Sequence, residues 1–300
     1  MAIKTAKELA AAAEAVAKNY KTLYVMGCFG APMTGKNKAR YTKNHSYNRQ
    51  TDRKAMINAA SADTFGFDCV CLIKGLLWGW NGDTAKVYGG AGYAINGVPD
   101  IDANAMFRKC KDASTDFSKI QVGEAVWMKG HIGIYIGNGL AVECTPKWDN
   151  CVQITACNCD KPGYNRRNWT KHGKLPYVTY LPEVTYRVHV GGRWLPWVTG
   201  YNEIDGNGYA GLLGKEITDI QVMADGKSVT VKQHTCSAST GDAIDCIAMK
   251  AEGCQLRYRA HTKDGKWLPW VTGCDVSDDA NGYAGVLGKA IDAVQIDVVE

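Results

Sequence analysis

From Val184 onward the chain repeats itself, and a repeat restricts the fold more than any single segment can. Tyr186-Arg187-Val188-His189 returns as Tyr258-Arg259-Ala260-His261. Arg193-Trp194-Leu195-Pro196-Trp197-Val198-Thr199-Gly200 returns as Lys266-Trp267-Leu268-Pro269-Trp270-Val271-Thr272-Gly273. Gly208-Tyr209-Ala210-Gly211-Leu212-Leu213-Gly214-Lys215 returns as Gly282-Tyr283-Ala284-Gly285-Val286-Leu287-Gly288-Lys289, and residues 217–222 return at 291–296. Between the two lies an abbreviated copy, residues 229–234 and 244–249, without the tryptophan loop. No copy is large enough to bury its apolar face alone. The pattern predicts an all-β pseudo-threefold domain over 183–300, prism-like or trefoil-like, with units near 183–222, 226–249 and 254–297.

The paired tryptophans Trp194, Trp197, Trp267 and Trp270 offer flat apolar faces with a free N–H, suited to sugar rings or to a protein core. The sequence leaves both uses open: one ring per pair in the core and the other in recognition. The aligned His189, His234 and His261 read as structural residues rather than metal ligands.

Three hundred residues exceed one compact core of this kind, so a separate domain is expected over 1–181, with Leu181-Pro182-Glu183 as linker. Its most informative stretch is Phe67-Asp68-Cys69-Val70-Cys71-Leu72-Ile73-Lys74-Gly75-Leu76-Leu77. Asp68 suits a helix N-cap, and Val70, Leu72, Ile73, Leu76 and Leu77 recur at helical spacing. Cys69 then sits in the first turn, where free N–H groups and the helix dipole favour a thiolate and can receive an oxyanion. A second stretch reads as three strands: Ala125 to Met128, residues 132–136 opened by His131, and Leu140 to Cys144 after a Gly137-Asn138-Gly139 turn. Glu143 on the hairpin partner is placed to hold His131, leaving the other ring nitrogen for a thiol.

These two stretches resemble the NlpC-type cell-wall cysteine peptidases, with the CHAP amidases and peptidases as relatives. Phe67-Asp68-Cys69 and His131-Ile132-Gly133-Ile134-Tyr135-Ile136-Gly137-Asn138-Gly139 carry the likeness, and Leu23-Tyr24-Val25-Met26-Gly27 is similar to the family's upstream aromatic segment. Val70-Cys71 stands where the family has Ser-Gly, and residues 31–64 form a longer insertion. The resemblance implies an α+β papain-like fold, N-terminal helices packed on an antiparallel sheet. It implies Cys69 as nucleophile, His131 as general base and Glu143 as the orienting residue, with Tyr24 lining the substrate groove beside the nucleophile and Asp68 also counted among the substrate-binding residues. The implied bond is γ-D-glutamyl to diamino acid, with the N-acetylmuramoyl-L-alanine amide as the alternative. The C-terminal units resemble, more loosely, the clostridial hydrophobic repeats with a Trp-Gly signature. That organisation implies a phage endolysin-like peptidoglycan hydrolase whose partners are peptidoglycan and other cell-wall polymer, with holin-assisted release. A reading from another class is a non-catalytic wall-binding protein, suggested by the altered Val70-Cys71 segment.

The formal net charge of +5 is too small and diffuse to imply nucleic acid. No stretch has the length of a membrane span, so no membrane insertion is expected. Glu8, Glu14 and Lys18 interrupt the apolar run of residues 1–20, which does not read as a signal peptide. Synthesis in the host cytoplasm and action on the bacterial wall are the expectation. Twelve cysteines then read as free thiols, and Cys151, Cys157 and Cys159 match no zinc-knuckle spacing. No cofactor or metal is expected. Residues 2–20 read as an amphipathic helix, the basic run 34–45 as an exposed loop, 83–117 as mixed helix and turn, and 166–180 as a closing strand.

Overall fold

A computed structural model describes residues 3–201, 208–236, 241–263 and 265–299. The chain divides into two compact units, Met1–Tyr180 and Leu181–Glu300. All twelve cysteines are free. Among the described residues no helix is long and apolar enough to cross a membrane.

The first unit opens with α1 (Ala6–Asn19). Thr5 and Glu8 form a capping box at its start, and Leu9, Ala10, Ala13 and Val16 make its buried stripe. A small sheet follows, with β1 (Thr22–Tyr24) and β2 (Phe29–Pro32) flanking β3 (Phe65–Phe67). The segment between β2 and β3 is helical, which corrects the exposed-loop reading of residues 34–45. It holds α2 (Gly35–Asn44), α3 (Ser46–Arg49) and α4 (Thr51–Ala59). Thr34 caps α2, and Tyr41 and Ile57 enter a separate small core with Val25, Cys28 and Met33. Two widely spaced apolar residues anchor these helices, too few to produce a readable periodicity.

Then comes α5 (Cys69–Leu77), buried at every position. After α6 (Ala103–Arg108) the chain builds a seven-stranded sheet from β4 (Lys111–Ser114), β5 (Ala125–Met128), β6 (His131–Gly137), β7 (Leu140–Cys144), β8 (Val152–Cys157), β9 (Arg166–Arg167) and β10 (Lys171–Lys174). Its order is β4-β10-β5-β6-β7-β8-β9. The expected single closing strand over 166–180 is therefore two short ones at different places in the sheet. Side chains alternate along β6 and β7. Ile132, Ile134, Val142 and Cys144 join α5 and α1 in the main core, while Ala141 packs with Val126 and Trp169 on the other face.

Among the described residues the second unit has a main core, a small separate cluster of Cys236, Ala243 and Ala290, and three sheets. Its strands are β11 (Val184–Val190), β12 (Arg193–Trp194), β13 (Val198–Thr199), β14 (Ala210–Gly211), β15 (Ile217–Ala224), β16 (Lys227–Ser228), β17 (Thr230–Thr235), β18 (Ile244–Lys250), β19 (Gln255–Thr262), β20 (Ala284–Gly285) and β21 (Ile291–Val299). Each sheet is centred on one repeat's antiparallel pair: β11 with β15, β17 with β18, and β19 with β21. The short arms cross between repeats. The first repeat's β14 pairs with β21 of the third, and the third repeat's β20 pairs with β18 of the second.

Candidate active site

Asp68 fixes where α5 begins. Its Oδ1 accepts the Cys71 N–H at 2.7 Å, and its Oδ2 accepts the Gly27 N–H at 2.7 Å. Both carboxylate oxygens are thus occupied by backbone, so Asp68 ties the Met26–Gly27 turn to the helix start. Gly27 has φ +76, a left-handed backbone that favours glycine, and a Cβ there would meet the tip of the His45 ring.

Cys69, 8% exposed, opens the helix. Its thiol lies against the Ile132 N–H and the free N–H groups of Cys69 and Val70. The helix start alone would favour thiolate, yet burial and then the Asp68 charge push this thiol up to about 12. An isolated Cys69 in this position is a thiol.

His131 Nε2 lies 2.6 Å from Glu143 Oε2. Glu143 is fully buried and accepts further bonds from Thr155 Oγ1 at 2.8 Å and from Arg167 Nε and Nη2 at 3.0 and 2.7 Å. Burial pushes its carboxyl up, and the hydrogen bonds of His131 and Arg167 outweigh that, leaving it below its ordinary value. Trp169 stacks on the imidazole with centroids 5.4 Å apart and planes 5° from parallel. The ring therefore stands on the Trp169 side of the sheet at the first residue of β6. Cys69 meets the same strand one residue further on, and no hydrogen bond joins Cys69 to His131. The contact with Glu143 is made by Nε2, not Nδ1.

A cleft of about 490 Å³ opens over Cys69, with Tyr24, Asp68, Lys74 and Gly130 among its walls. The helical insertion supplies Arg40, Tyr41, Asn44 and His45 to the same cleft. Tyr24 is buried, packed edge-on against Tyr47, and the buried Arg53 donates to its carbonyl. Lys74, almost fully buried, reaches Asp100 at 2.5 Å. Burial, the cost of which falls on the charged amine, is overcome by the neighbouring Cys71 and Asp100, and its pKa is raised.

The expected core placement of one ring per pair is not met. None of Trp194, Trp197, Trp267 and Trp270 is in the core; Trp197 is 43% exposed and the others are half-buried. Instead each pair encloses an arginine. The Arg187 guanidinium lies 4.8 Å from Trp194 and 4.6 Å from Trp197, and that of Arg259 lies 5.1 Å from Trp267 and 4.7 Å from Trp270. Gln221 and Gln295 hold the two arginines by Nε at 2.8 and 2.7 Å. Trp270 is further covered by the Arg257 guanidinium at 4.8 Å and by Tyr201 at 5.2 Å. The aligned histidines bond within the domain through Nδ1: His189 to Thr218, His234 to Asp245 and His261 to Asp292.

Arg167, Thr155 and Trp169 escaped the sequence reading. Arg167 follows Arg166 in a polar run, and nothing local distinguishes the one that folds back onto Glu143. No protein-family model, curated protein or solved structure matches this chain.

Proposed function

We propose that the chain is a cysteine peptidase of the bacterial cell wall, with peptidoglycan stem peptide as substrate. The observation that carries this reading is the His131–Glu143 pair at the start of β6, next in sequence to Ile132, whose N–H the Cys69 thiol meets, with an open cleft over Cys69. Substrate binding brings Nδ1 of His131 and the thiol together; such contacts are often long without substrate. Cys69 Sγ attacks the scissile carbonyl as His131 takes its proton, and N–H groups at the start of α5 hold the oxyanion. His131 returns that proton to the leaving amine, and a thioester remains. Water, deprotonated by His131, then hydrolyses the thioester and frees Cys69. Glu143 holds the ring throughout and stabilises its cationic form. The second unit, with its partly exposed tryptophans, holds the enzyme on the wall.

A second reading, a wall-binding protein without catalysis, draws on the thiol's raised pKa and on the missing Cys69–His131 hydrogen bond. Mass spectrometry of peptidoglycan incubated with wild type and with Cys69→Ala separates the two. New amino termini on the diamino acid, absent with Cys69→Ala, identify the γ-D-glutamyl bond. New termini on L-alanine identify an amidase. No products from either protein would favour the binder.

A further inference from the structure

Among the described residues three sheets surround the main core of the second unit, and two of them receive an arm. Ala210 and Gly211 pair with Val294 and Ala293; Ala284 and Gly285 pair with Ile247 and Cys246. The matching residues of the first repeat are Ile220 and Asp219, and among the described residues no strand pairs with them on that edge. The sequence explains why. Twenty-six residues separate the paired strands β11 and β15 (191–216), and 28 separate β19 and β21 (263–290), whereas eight separate β17 and β18 (236–243). The middle repeat has no Tyr-Ala-Gly segment to lend.

The unclaimed edge is equipped like the other two. Val188 gives its carbonyl to Leu195, so its cross-strand partner Ile220 turns its own N–H and C=O away from β11, toward the open side. In the third repeat, Ala260 gives its carbonyl to Leu268, and its partner Val294 receives the arm at Ala210. On the open edge the Ile220 N–H is taken instead by the adjacent Asp219 carboxylate at 2.7 Å, which Gln233 also contacts at 2.8 Å. A groove of about 420 Å³ adjoins this edge, lined by Ile220, Val222, Val231 and Gln233 among others.

The two filled edges state what fits. The arm's alanine is buried in both cases, Ala210 and Ala284 each 2% exposed. The next residue must be glycine: a Cβ on Gly211 would lie 2.2 Å from the Asp292 carbonyl oxygen, and one on Gly285 2.0 Å from that of Asp245. At both filled edges an aspartate also accepts the N–H of the turn that follows, Gly214 to Asp292 and Gly288 to Asp245, each at 2.7 Å. The open edge has Thr218 in that place, with no carboxylate for a returning turn.

We propose that the edge of β15 at residues 218–220 binds an extended peptide strand carrying alanine followed by glycine. The peptide adds as an antiparallel strand, its alanine opposite Ile220 and its glycine opposite Asp219, displacing the Asp219 carboxylate from the Ile220 N–H. This site is independent of the chemistry at Cys69.

The test uses the full chain and N-acetyl-Gly-Tyr-Ala-Gly-Val-amide, followed through backbone amide resonances. Saturable shifts at Thr218, Asp219, Ile220 and Gln233 are expected. The same peptide with valine in place of its second glycine binds about tenfold or more weakly, the loss of one well-fitted strand contact. Asp219→Ala frees the Ile220 N–H and tightens binding about threefold, a fraction of one hydrogen bond. No shifts at millimolar peptide, or equal binding of the valine peptide, would overturn the proposal. Concentration-dependent shifts at the same amides without peptide would also overturn it, because a second copy then takes the edge.

Discussion

Arg167 grips Glu143 with two nitrogens, Nη2 at 2.7 Å and Nε at 3.0 Å, on the carboxylate that also holds His131. The pair is nearly dry, with the Arg167 side chain 12% exposed and that of Glu143 not at all. Removing one member of such a pair leaves a buried charge uncompensated. Arg167→Ala is therefore expected to cost about 3 kcal/mol in urea unfolding. Arg167→Lys keeps the charge but not the two-pronged geometry, so it should recover part of that loss. If Glu143 is what holds the base, turnover falls further in Arg167→Ala than the unfolded fraction accounts for. Unchanged stability in Arg167→Ala would show that this guanidinium does not support Glu143.

The same carboxylate sets an acid limit. Its folded pKa lies below its ordinary value of 4.5, so the folded state binds fewer protons than the unfolded one across that window. The stabilisation is complete above 4.5 and is lost as pH falls through the lowered folded value. Urea midpoints measured downward from pH 6 should drop more steeply in wild type than in Glu143→Gln, which has no such proton to take up. Parallel curves for the two proteins would contradict the linkage.

What could be read from the sequence follows what is local. The start of α5 depends on Asp68 and on apolar spacing within one helix, and the strands at 125–128, 131–137 and 140–144 depend on alternation and one Gly-Asn-Gly turn. Pairing of His131 with Glu143 needs only that hairpin. Arg167 lies 24 residues beyond Glu143 and arrives through the parallel contact of β9 with β8, which no local pattern encodes. The burial that raises the Cys69 thiol comes from neighbours distant in sequence and outweighs the helix-start N–H groups, which act in the direction the sequence suggested. The repeats announced three units, but the exchange of arms between units is a tertiary choice. The tryptophan pairs were ambiguous because the arginine between them sits in a different strand of the repeat.

Arm exchange places a strict demand on two glycines. Gly211 has φ +145 and a would-be Cβ 2.2 Å from backbone, whereas Gly214 has φ +84 and open space around it. Gly211→Ala must therefore detach β14 from β21 or push the strand aside, a cost of about 3 kcal/mol. Gly214→Ala meets only left-handed backbone strain, about 1 kcal/mol. Thermal unfolding of the full chain should show the larger loss for Gly211→Ala in the transition that carries the second unit. Equal losses at the two positions would mean that the arm is not held against Asp292.

The last prediction concerns how Cys69 becomes reactive. With burial holding the thiol up to about 12, a lone Cys69 stays protonated at neutral pH. On the proposed reading, reactivity at pH 7 comes from proton transfer to His131, with Glu143 stabilising the cation. Iodoacetamide labelling read by mass spectrometry at the Cys69 peptide isolates this residue from the other thiols. Wild type should label readily at pH 7, and His131→Ala should label about 100-fold more slowly, the scale of a lost base. Raising the pH toward 10 should narrow the gap, because hydroxide then replaces the missing base. Equal rates in the two proteins at pH 7 would detach His131 from Cys69, and with it the catalytic reading of this site.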